Sequence, residues 1–150
     1  MTPFENPAQL AATLGQPLGH SDWLVISQDI INRFAELTGD RQWIHVDVER
    51  AKREAPGGST IAHGYLMLSL LGVLQPQIYT VTCRSILNYG LNKMRFLAPV
   101  AAGARVRLTE TVRDAQQIAG GWRIAAEATL EVEGAAKPAY VAEIVFQYHD

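Results

Sequence analysis

Residues 57–83 read GGSTIAHGYLMLSLLGVLQPQIYTVTC, and the interpretation of the whole chain depends on them. The stretch contains no Asp, Glu, Lys or Arg, and residues 65–74 are apolar at almost every position. A helix that is apolar all round has no face for water, so it must be buried on all sides. The apolar run stops at Gln75-Pro76, short of the roughly 18–20 residues that span a bilayer. The sequence therefore predicts a helix over 61–74 that lies inside the protein.

Composition limits the class of protein. The 150 residues are 48% hydrophobic and 19% charged, which is typical of a globular chain and not of a disordered one. This length suits a single domain over 1–150 with a substantial core. A formal net charge of −2 gives no basis for binding nucleic acid or an anionic membrane. We expect no cofactor.

Cys83 is the single cysteine, so it cannot form an intrachain disulfide. It lies in a β-rich apolar run without a catalytic partner, and we interpret it as a buried structural thiol and not as a nucleophile. A chain without disulfides suits a reducing compartment. The first residues carry no basic cluster and do not resemble a secretory signal, so we expect a cytoplasmic protein.

Three further helices are predicted ahead of the apolar one, over 7–14, 28–38 and 48–55. Ser27 is a good N-cap for the second, and Gly39 follows its last residue. Asp47 is a candidate cap for the third. The residues between these two helices, 40–47, do not have the pattern of a regular element.

Strand patterns dominate the remainder of the chain. A short strand is predicted over 21–26, after a turn at 16–19, and longer ones over 78–83, 87–96, 104–112, 122–132 and 139–146. Ile124, Ala126, Ala128, Leu130 and Val132 share one parity, which is the period of a strand with one buried face. Gly and Pro separate the later strands, which predicts an antiparallel meander. Wrapping this sheet around the apolar helix would bury both, and the fold class is α+β.

Four residues do not suit a purely structural role. Taken singly, Asp40 is a turn residue, His45 a hydrogen-bonded structural histidine, and Gly64 a site of close packing. Together, a carboxylate and an imidazole five residues apart on one loop can hold a single water, with the imidazole as acid and base. His63 and Gly64 lie at the start of the apolar helix, where free backbone N–H groups suit an oxyanion.

The position of the helix start tests this idea. The Gly64 N–H is free only if the N-cap lies at Ile61 or later, although Ser59 and Thr60 are better capping residues by type. With Thr60 as the cap, the Gly64 amide would be used inside the helix.

Three segments form a recognisable set, namely 37–45 (LTGDRQWIH), 61–66 (IAHGYL) and 95–103 (RFLAPVAAG). They resemble the MaoC-like dehydratases and (R)-specific enoyl-CoA hydratases. Residues 37–45, LTGDRQWIH, are similar to the G-D-x-N-P-x-H signature of that family. Residues 61–66, IAHGYL, resemble its I-A-H-G-x-L helix start, and 95–103, RFLAPVAAG, its R-F-x-x-P-V-x-x-G turn. The three blocks occur in the family's order, so the resemblance covers about residues 20–148. The combination is specific, although no single block is.

The resemblance implies a hot-dog fold and a homodimer with active sites near the subunit interface. It implies that Asp40 and His45 activate water and that the Gly64 N–H binds the thioester carbonyl of an acyl-CoA, with His63 and Ser59 as further substrate-binding residues. The reaction would interconvert 2-enoyl-CoA and (R)-3-hydroxyacyl-CoA. A hot-dog acyl-CoA thioesterase and a non-catalytic module that binds acyl thioesters remain open alternatives.

The chain departs from the hydratase pattern at one point. Gln42-Trp43 stand where that pattern has Asn-Pro, which is similar to the nodulation-protein branch of the family. Proline fixes the backbone ahead of the histidine, whereas tryptophan does not.

The sequence offers two other kinds of candidate site, a metal site and a basic patch. A metal site formed by His45, Asp47 and His63 has no recognised ligand spacing, and we expect no metal. Arg84, Lys93, Arg95, Arg105 and Arg107 are candidates for a basic patch that binds CoA phosphates. Alternating charges on strands more often mark the solvent face of a sheet.

Overall fold

The computed structural model describes all 150 residues. Its helices are α1 (Pro7–Ala11), α2 (Gln28–Thr38), α3 (Trp43–Val46), α4 (Val48–Glu54), α5 (Gly64–Ser69) and α6 (Leu71–Ile78). Its strands are β1 (Thr2–Phe4), β2 (Pro17–His20), β3 (Leu24–Val25), β4 (Tyr79–Val81), β5 (Ser85–Phe96), β6 (Arg105–Ile118), β7 (Gly121–Val132) and β8 (Tyr140–His149).

The main sheet is antiparallel and has the order β2-β6-β7-β8-β5, with β3 also paired to β6. Strands β6, β7 and β8 form the predicted meander, but the prediction is wrong for β5, which pairs with β8 at the far edge. The reason lies in the segment that follows β5. It leaves the sheet and binds the chain ahead of α5, where the Ala62 N–H donates to Val100 O at 2.8 Å and the Ala102 N–H to Thr60 O at 2.9 Å.

One face of the sheet packs on α5 and α6. The predicted parity of β7 is confirmed for Ile124, Ala126, Ala128 and Leu130, which are all buried, whereas Val132 at the strand end is only partly buried. They share a core with Leu66 and Met67 of α5 and with Leu74 and Ile78 of α6. An antiparallel sheet around a central helical segment is the α+β architecture that the sequence predicts.

The central helix differs from its prediction in its bounds. Residues 61–63 are extended because Ile61 and Ala62 donate to the backbone of other segments, so the helix begins at Gly64 and not at residue 61. Leu70 divides it into α5 and α6, and α6 continues through Pro76 to Ile78. The predicted end at residue 74 is wrong. Pro76 is tolerated in the last turns because it removes only one donor, and the Tyr79 N–H caps the helix on Gln75 O.

Complete burial of this helix is also wrong for the single chain. Leu66, Met67 and Leu74 are buried, whereas Tyr65 is 73% exposed and Val73 is 49% exposed. The all-apolar sequence has one face on the sheet and another that no part of this chain covers. None of the helices is long and apolar enough to cross a membrane.

The first part of the chain mixes confirmed and corrected predictions. Helix α2 has the predicted bounds, with Ser27 Oγ accepting from the Ile30 N–H and Gly39 in the left-handed region at φ 79°. The turn predicted at 16–19 is wrong, because strand β2 pairs there with β6. Of the strand predicted over 21–26, only Leu24–Val25 forms a strand. Strand β4 pairs in parallel with β1, outside the main sheet.

Candidate active site

The loop after α2 and the segment ahead of α5 are held together by hydrogen bonds. The Ile61 N–H donates to Ile44 O at 3.0 Å. The Gln28 side chain joins both segments, since its Nε2 donates to His45 O at 2.8 Å and its Oε1 accepts from the buried Thr60 hydroxyl. These contacts bring Asp40, His45, His63 and Gly64 to one place, although up to 24 residues of sequence separate them.

His45 is buried on α3 with a defined tautomer. Its Nδ1 lies 2.6 Å from the carbonyl oxygen of Ile61. Because a carbonyl only accepts, Nδ1 carries the proton, and the neutral ring has its lone pair on Nε2. The free nitrogen of His45 is therefore the basic one.

Asp40, His45 and His63 form a compact cluster. One carboxylate oxygen or ring nitrogen from each lies within 4.8 Å of those from the other two. Such a separation between Asp40 and His45 leaves room for one water hydrogen-bonded to both. Asp40 is exposed and His45 is 7% exposed, so solvent reaches the cluster from the carboxylate side.

The cluster does not fit a metal ion. A histidine binds metal in the plane of its ring at about 2.0–2.1 Å. The His45 and His63 rings are stacked, with centroids 3.8 Å apart and planes 25° from parallel, so their nitrogen lone pairs do not converge on one point. Asp47, the third ligand weighed from the sequence, accepts instead from the Arg50 N–H and caps α4.

A cavity of about 460 Å³ opens beside the cluster, and both His45 and Gly64 line it. Most of its wall is apolar and comes from α5 and from the segment after β5, including Met67, Phe96 and Val100. The ring of Phe96 lies directly over Gly64, where an added Cβ would meet its Cζ at 2.8 Å. The cavity therefore combines a basic nitrogen with an apolar pocket wide enough for a small acyl group.

His63 is the N-cap of α5, and Gly64 is the first helical residue. The condition set by the sequence for a free Gly64 amide is thus met, and no protein group accepts from this N–H. Thr60 is engaged with Gln28 and is not the cap. The Ser59 hydroxyl donates to Thr60 O at 3.2 Å and does not line the cavity, so substrate binding by Ser59 stays a prediction.

The five basic residues do not form one patch. Arg105 and Arg107 pair with Glu133 and Glu131 on the solvent side of β6 and β7. Lys93, on the edge strand β5, lies 3.7 Å from Glu143. Only Arg84 and Arg95 are without an acidic partner. Cys83 is half-buried, and burial raises the pKa of its thiol, which is unfavourable for a nucleophile.

A second polar cluster lies under α6, and nothing in the sequence pattern indicated it. Glu110 on β6 is 2% exposed, and the Gln75 amide donates to both of its carboxylate oxygens, at 3.2 and 3.1 Å. The same amide donates to the Tyr79 hydroxyl. Burial raises the pKa of Glu110 to about 7, although the bond from Gln75 opposes this shift.

Comparisons with known proteins show the family of the chain. The family model described as MaoC like domain matches residues 9–135. The 3-hydroxyacyl-thioester dehydratase Z of Mycobacterium tuberculosis is 50% identical over 150 residues, which cover 99% of each chain. Nodulation protein N of Rhizobium leguminosarum is 41% identical over 140 residues, covering 90% of this chain and 86% of its own length.

The fold has a solved counterpart. A monoamine oxidase regulatory protein from Archaeoglobus superposes with a TM-score of 0.82 at 23% identity, covering 99% of this chain and 96% of that one. The predicted family and its nodulation-protein branch are thereby confirmed. The chain belongs to the MaoC-like family of hydratases and dehydratases and has its hot-dog fold.

Proposed function

We propose that the domain, residues 1–150, interconverts a 2-enoyl-CoA and an (R)-3-hydroxyacyl-CoA by adding or removing water. The mycobacterial relative is named for a 3-hydroxyacyl thioester, and this substrate class suits the apolar cavity beside His45. The observation that carries the proposal is that His45 has a free Nε2 and offers a ring nitrogen within 4.8 Å of the Asp40 carboxylate.

In the hydration direction, a water held by Asp40 gives a proton to His45 Nε2 as its oxygen bonds to C3 of the enoyl group. The electrons of the C2–C3 double bond move toward the thioester, where negative charge develops on the carbonyl oxygen. The imidazolium then returns a proton to C2, which completes the addition of one water. Dehydration follows the same steps in reverse, with His45 as base at C2 and as acid at the leaving hydroxyl.

The developing oxyanion needs a donor, and the proposal assigns this role to the Gly64 N–H. This amide is the first of α5 and has no partner in the chain. It lines the same cavity as His45, so one thioester can face both groups. Losing one such donor costs about 2.7–4 kcal/mol of transition-state stabilisation in other enzymes.

The proposal includes a homodimer formed through β5. This strand has 12 residues at the edge of the sheet, and nearly all of them are exposed. Among them are the apolar side chains of Ile86, Leu87, Tyr89 and Leu91. Long exposed apolar edges are rare in monomers because they pair with other chains. The uncovered residues Tyr65 and Val73 of the central helix offer more apolar surface for a second copy.

The dimer is tested by sizing with light scattering. Tyr89→Arg and Leu91→Glu, made together, should convert a dimer into a monomer. A wild-type protein that is monomeric at micromolar concentration would contradict this part of the proposal. The lone cysteine suits a reducing compartment, so we place the dimer in the cytoplasm.

The reaction is tested by following the loss of enoyl-thioester absorbance over a series of short to long 2-enoyl-CoAs. Wild type should hydrate at least one of them to the (R) product, and Asp40→Asn should lose roughly 10²–10⁴-fold in kcat. Absence of hydration across the whole series would refute the proposal. Release of free CoA thiol would instead support a thioesterase, and tight binding without turnover would support a non-catalytic module.

A further inference from the structure

His63 is a buried polar residue at the site, and the reaction as described makes no use of it. The residue is 3% exposed. Its ring lies between two others, stacked on His45 at 3.8 Å between centroids and tilted against Phe34 of α2 at 5.1 Å. It therefore supports the face of the proposed base from inside the protein.

The ring edge of His63 makes a second contact with the site. Its Nε2 lies 2.9 Å from the backbone oxygen of Asp40, 23 residues earlier in the chain. Since a carbonyl only accepts, Nε2 carries the proton and donates. This hydrogen bond joins two segments. It ties the loop of Asp40 to His63, the residue just ahead of α5.

The other nitrogen of His63 is enclosed by the protein. Nδ1 is buried and has no hydrogen-bond partner. When His45 takes a proton from water, the resulting imidazolium lies against the face of the His63 ring.

We propose that His63 is a positioning residue that holds both members of the proposed Asp40–His45 pair, one through its ring edge and one through its ring face. It does so without contact with the reacting water, because the stacked rings do not let one water lie in the plane of both. This inference rests on the proposed hydratase function. It replaces substrate binding as the role of His63.

Three substitutions separate the two contacts. His63→Phe keeps an aromatic face against His45 and removes the donor to Asp40. His63→Gln keeps a donor near the position of Nε2 and removes the face, and His63→Leu removes both. We expect kcat for enoyl-CoA hydration to fall about 10²-fold in His63→Leu and about tenfold in the other two, because small misplacements of catalytic groups have effects of this size.

The split between kcat and KM decides the role. A positioning residue lowers kcat and leaves KM within about threefold of wild type, whereas a residue that binds substrate equally in ground and transition states raises KM. If the variants raise KM and leave kcat unchanged, or if His63→Leu keeps the wild-type kcat, the proposal is overturned. His20→Leu is the matched control, since His20 is exposed and bonds only to the neighbouring Ser21 O. It should change neither constant.

A measurement without substrate keeps the inference separate from the proposed reaction. In protein with ¹⁵N-labelled histidine, long-range ¹H–¹⁵N correlation spectra should show the Nε2–H tautomer for His63 and the Nδ1–H tautomer for His45. In folded His63→Phe the His45 signals should stay close to those of wild type, and in His63→Gln they should shift and broaden, because the His45 ring loses the face that it is stacked on. An Nδ1–H tautomer at His63, or unchanged His45 signals in His63→Gln, would refute the positioning role even if no enoyl-CoA is hydrated.

Discussion

The imidazole of His45 donates its Nδ1 proton to the backbone carbonyl of Ile61 at 2.6 Å. Ile61 lies ahead of α5, three residues before Gly64. This one bond therefore fixes the position of the proposed base, His45, relative to the proposed oxyanion donor, the Gly64 amide. The bond also fixes the tautomer that has its lone pair on Nε2. Loop geometry and basicity at this site therefore depend on the same contact.

His45→Asn separates these two effects. The asparagine amide can reach Ile61 O from about the position of Nδ1, so the loop should keep its structure while the basic nitrogen is lost. We expect kcat to fall roughly 10²–10⁴-fold with the melting temperature close to that of wild type. Steady-state kinetics and thermal unfolding measure the two quantities, and a variant that keeps more than a tenth of kcat would remove His45 from the mechanism.

Gly64→Ala should disturb the cavity without removing the amide. The added Cβ would lie 2.8–3.0 Å from three ring atoms of Phe96, so the half-exposed ring must move within the cavity. We expect hydration to fall about 10²-fold, since such displacement misplaces the thioester. The double variant Gly64→Ala/Phe96→Leu should recover part of this loss, because it removes the ring.

The control for this substitution is Gly57→Ala, at a glycine with nothing within 4 Å of an added Cβ. It should keep wild-type kinetics. If Phe96→Leu gives no recovery in the Gly64 background, the ring is not the cause, and the glycine is needed for another reason.

Glu110 should make the stability of the protein depend on pH. Its native pKa is raised from 4.5 to about 7 by burial, so the native state holds the proton more tightly than the unfolded state does. Stability is then greatest below about pH 4.5 and falls as pH rises through the window to about 7. A raised pKa of this size means that the native state is about 3 kcal/mol less stable above pH 7 than below pH 4.5.

Glu110→Gln removes this dependence, since a neutral amide still accepts from Gln75. Urea unfolding should show the variant more stable than wild type at pH 8 and nearly equal to it at pH 5. The matched control is Glu131→Gln, whose half-exposed carboxylate pairs with Arg107 and has no such burial. Equal stability differences at the two pH values for Glu110→Gln would mean that the buried carboxyl does not titrate in this range.

The candidate site could be predicted where it depends on neighbouring residues. Asp40, His45 and Gly64 are candidates from the sequence alone, because a dyad on a loop and a helix start are local patterns. Their assembly was not predictable. It depends on Gln28, on the Ile61 carbonyl and on the Val100 segment, which come from distant parts of the chain and have no sequence signal.

The same limit applies to the fold. The bounds of α2 follow from Ser27 and Gly39, and the buried face of β7 follows from its parity. The pairing of β5 with β8 has no local cause, since it is set by the crossover after Phe96. Even the all-apolar stretch was ambiguous, because a helix covered partly by a second subunit has the same sequence pattern as one buried within a single chain.

The departure at Gln42-Trp43 is expected to leave catalysis intact, because the backbone there already has the geometry that proline imposes. Gln42 has φ −55° and ψ 138°, which suits a residue before proline, and Trp43 is the first residue of α3, where proline is favoured. The Trp43 ring stacks on Arg50, with 4.4 Å from the ring centroid to Cζ. This contact stabilises the loop where a proline would do so by fixing φ.

The double variant Gln42→Asn/Trp43→Pro therefore exchanges a cation–π contact of about 0.5–1 kcal/mol for a comparable gain in backbone rigidity. We expect its kcat to stay within about threefold of wild type, whereas Trp43→Gly, which supplies neither restraint, should lose about tenfold. Kinetics and thermal unfolding of the two variants measure this, and a proline variant as impaired as the glycine variant would show that the Trp43 side chain itself is needed at the site.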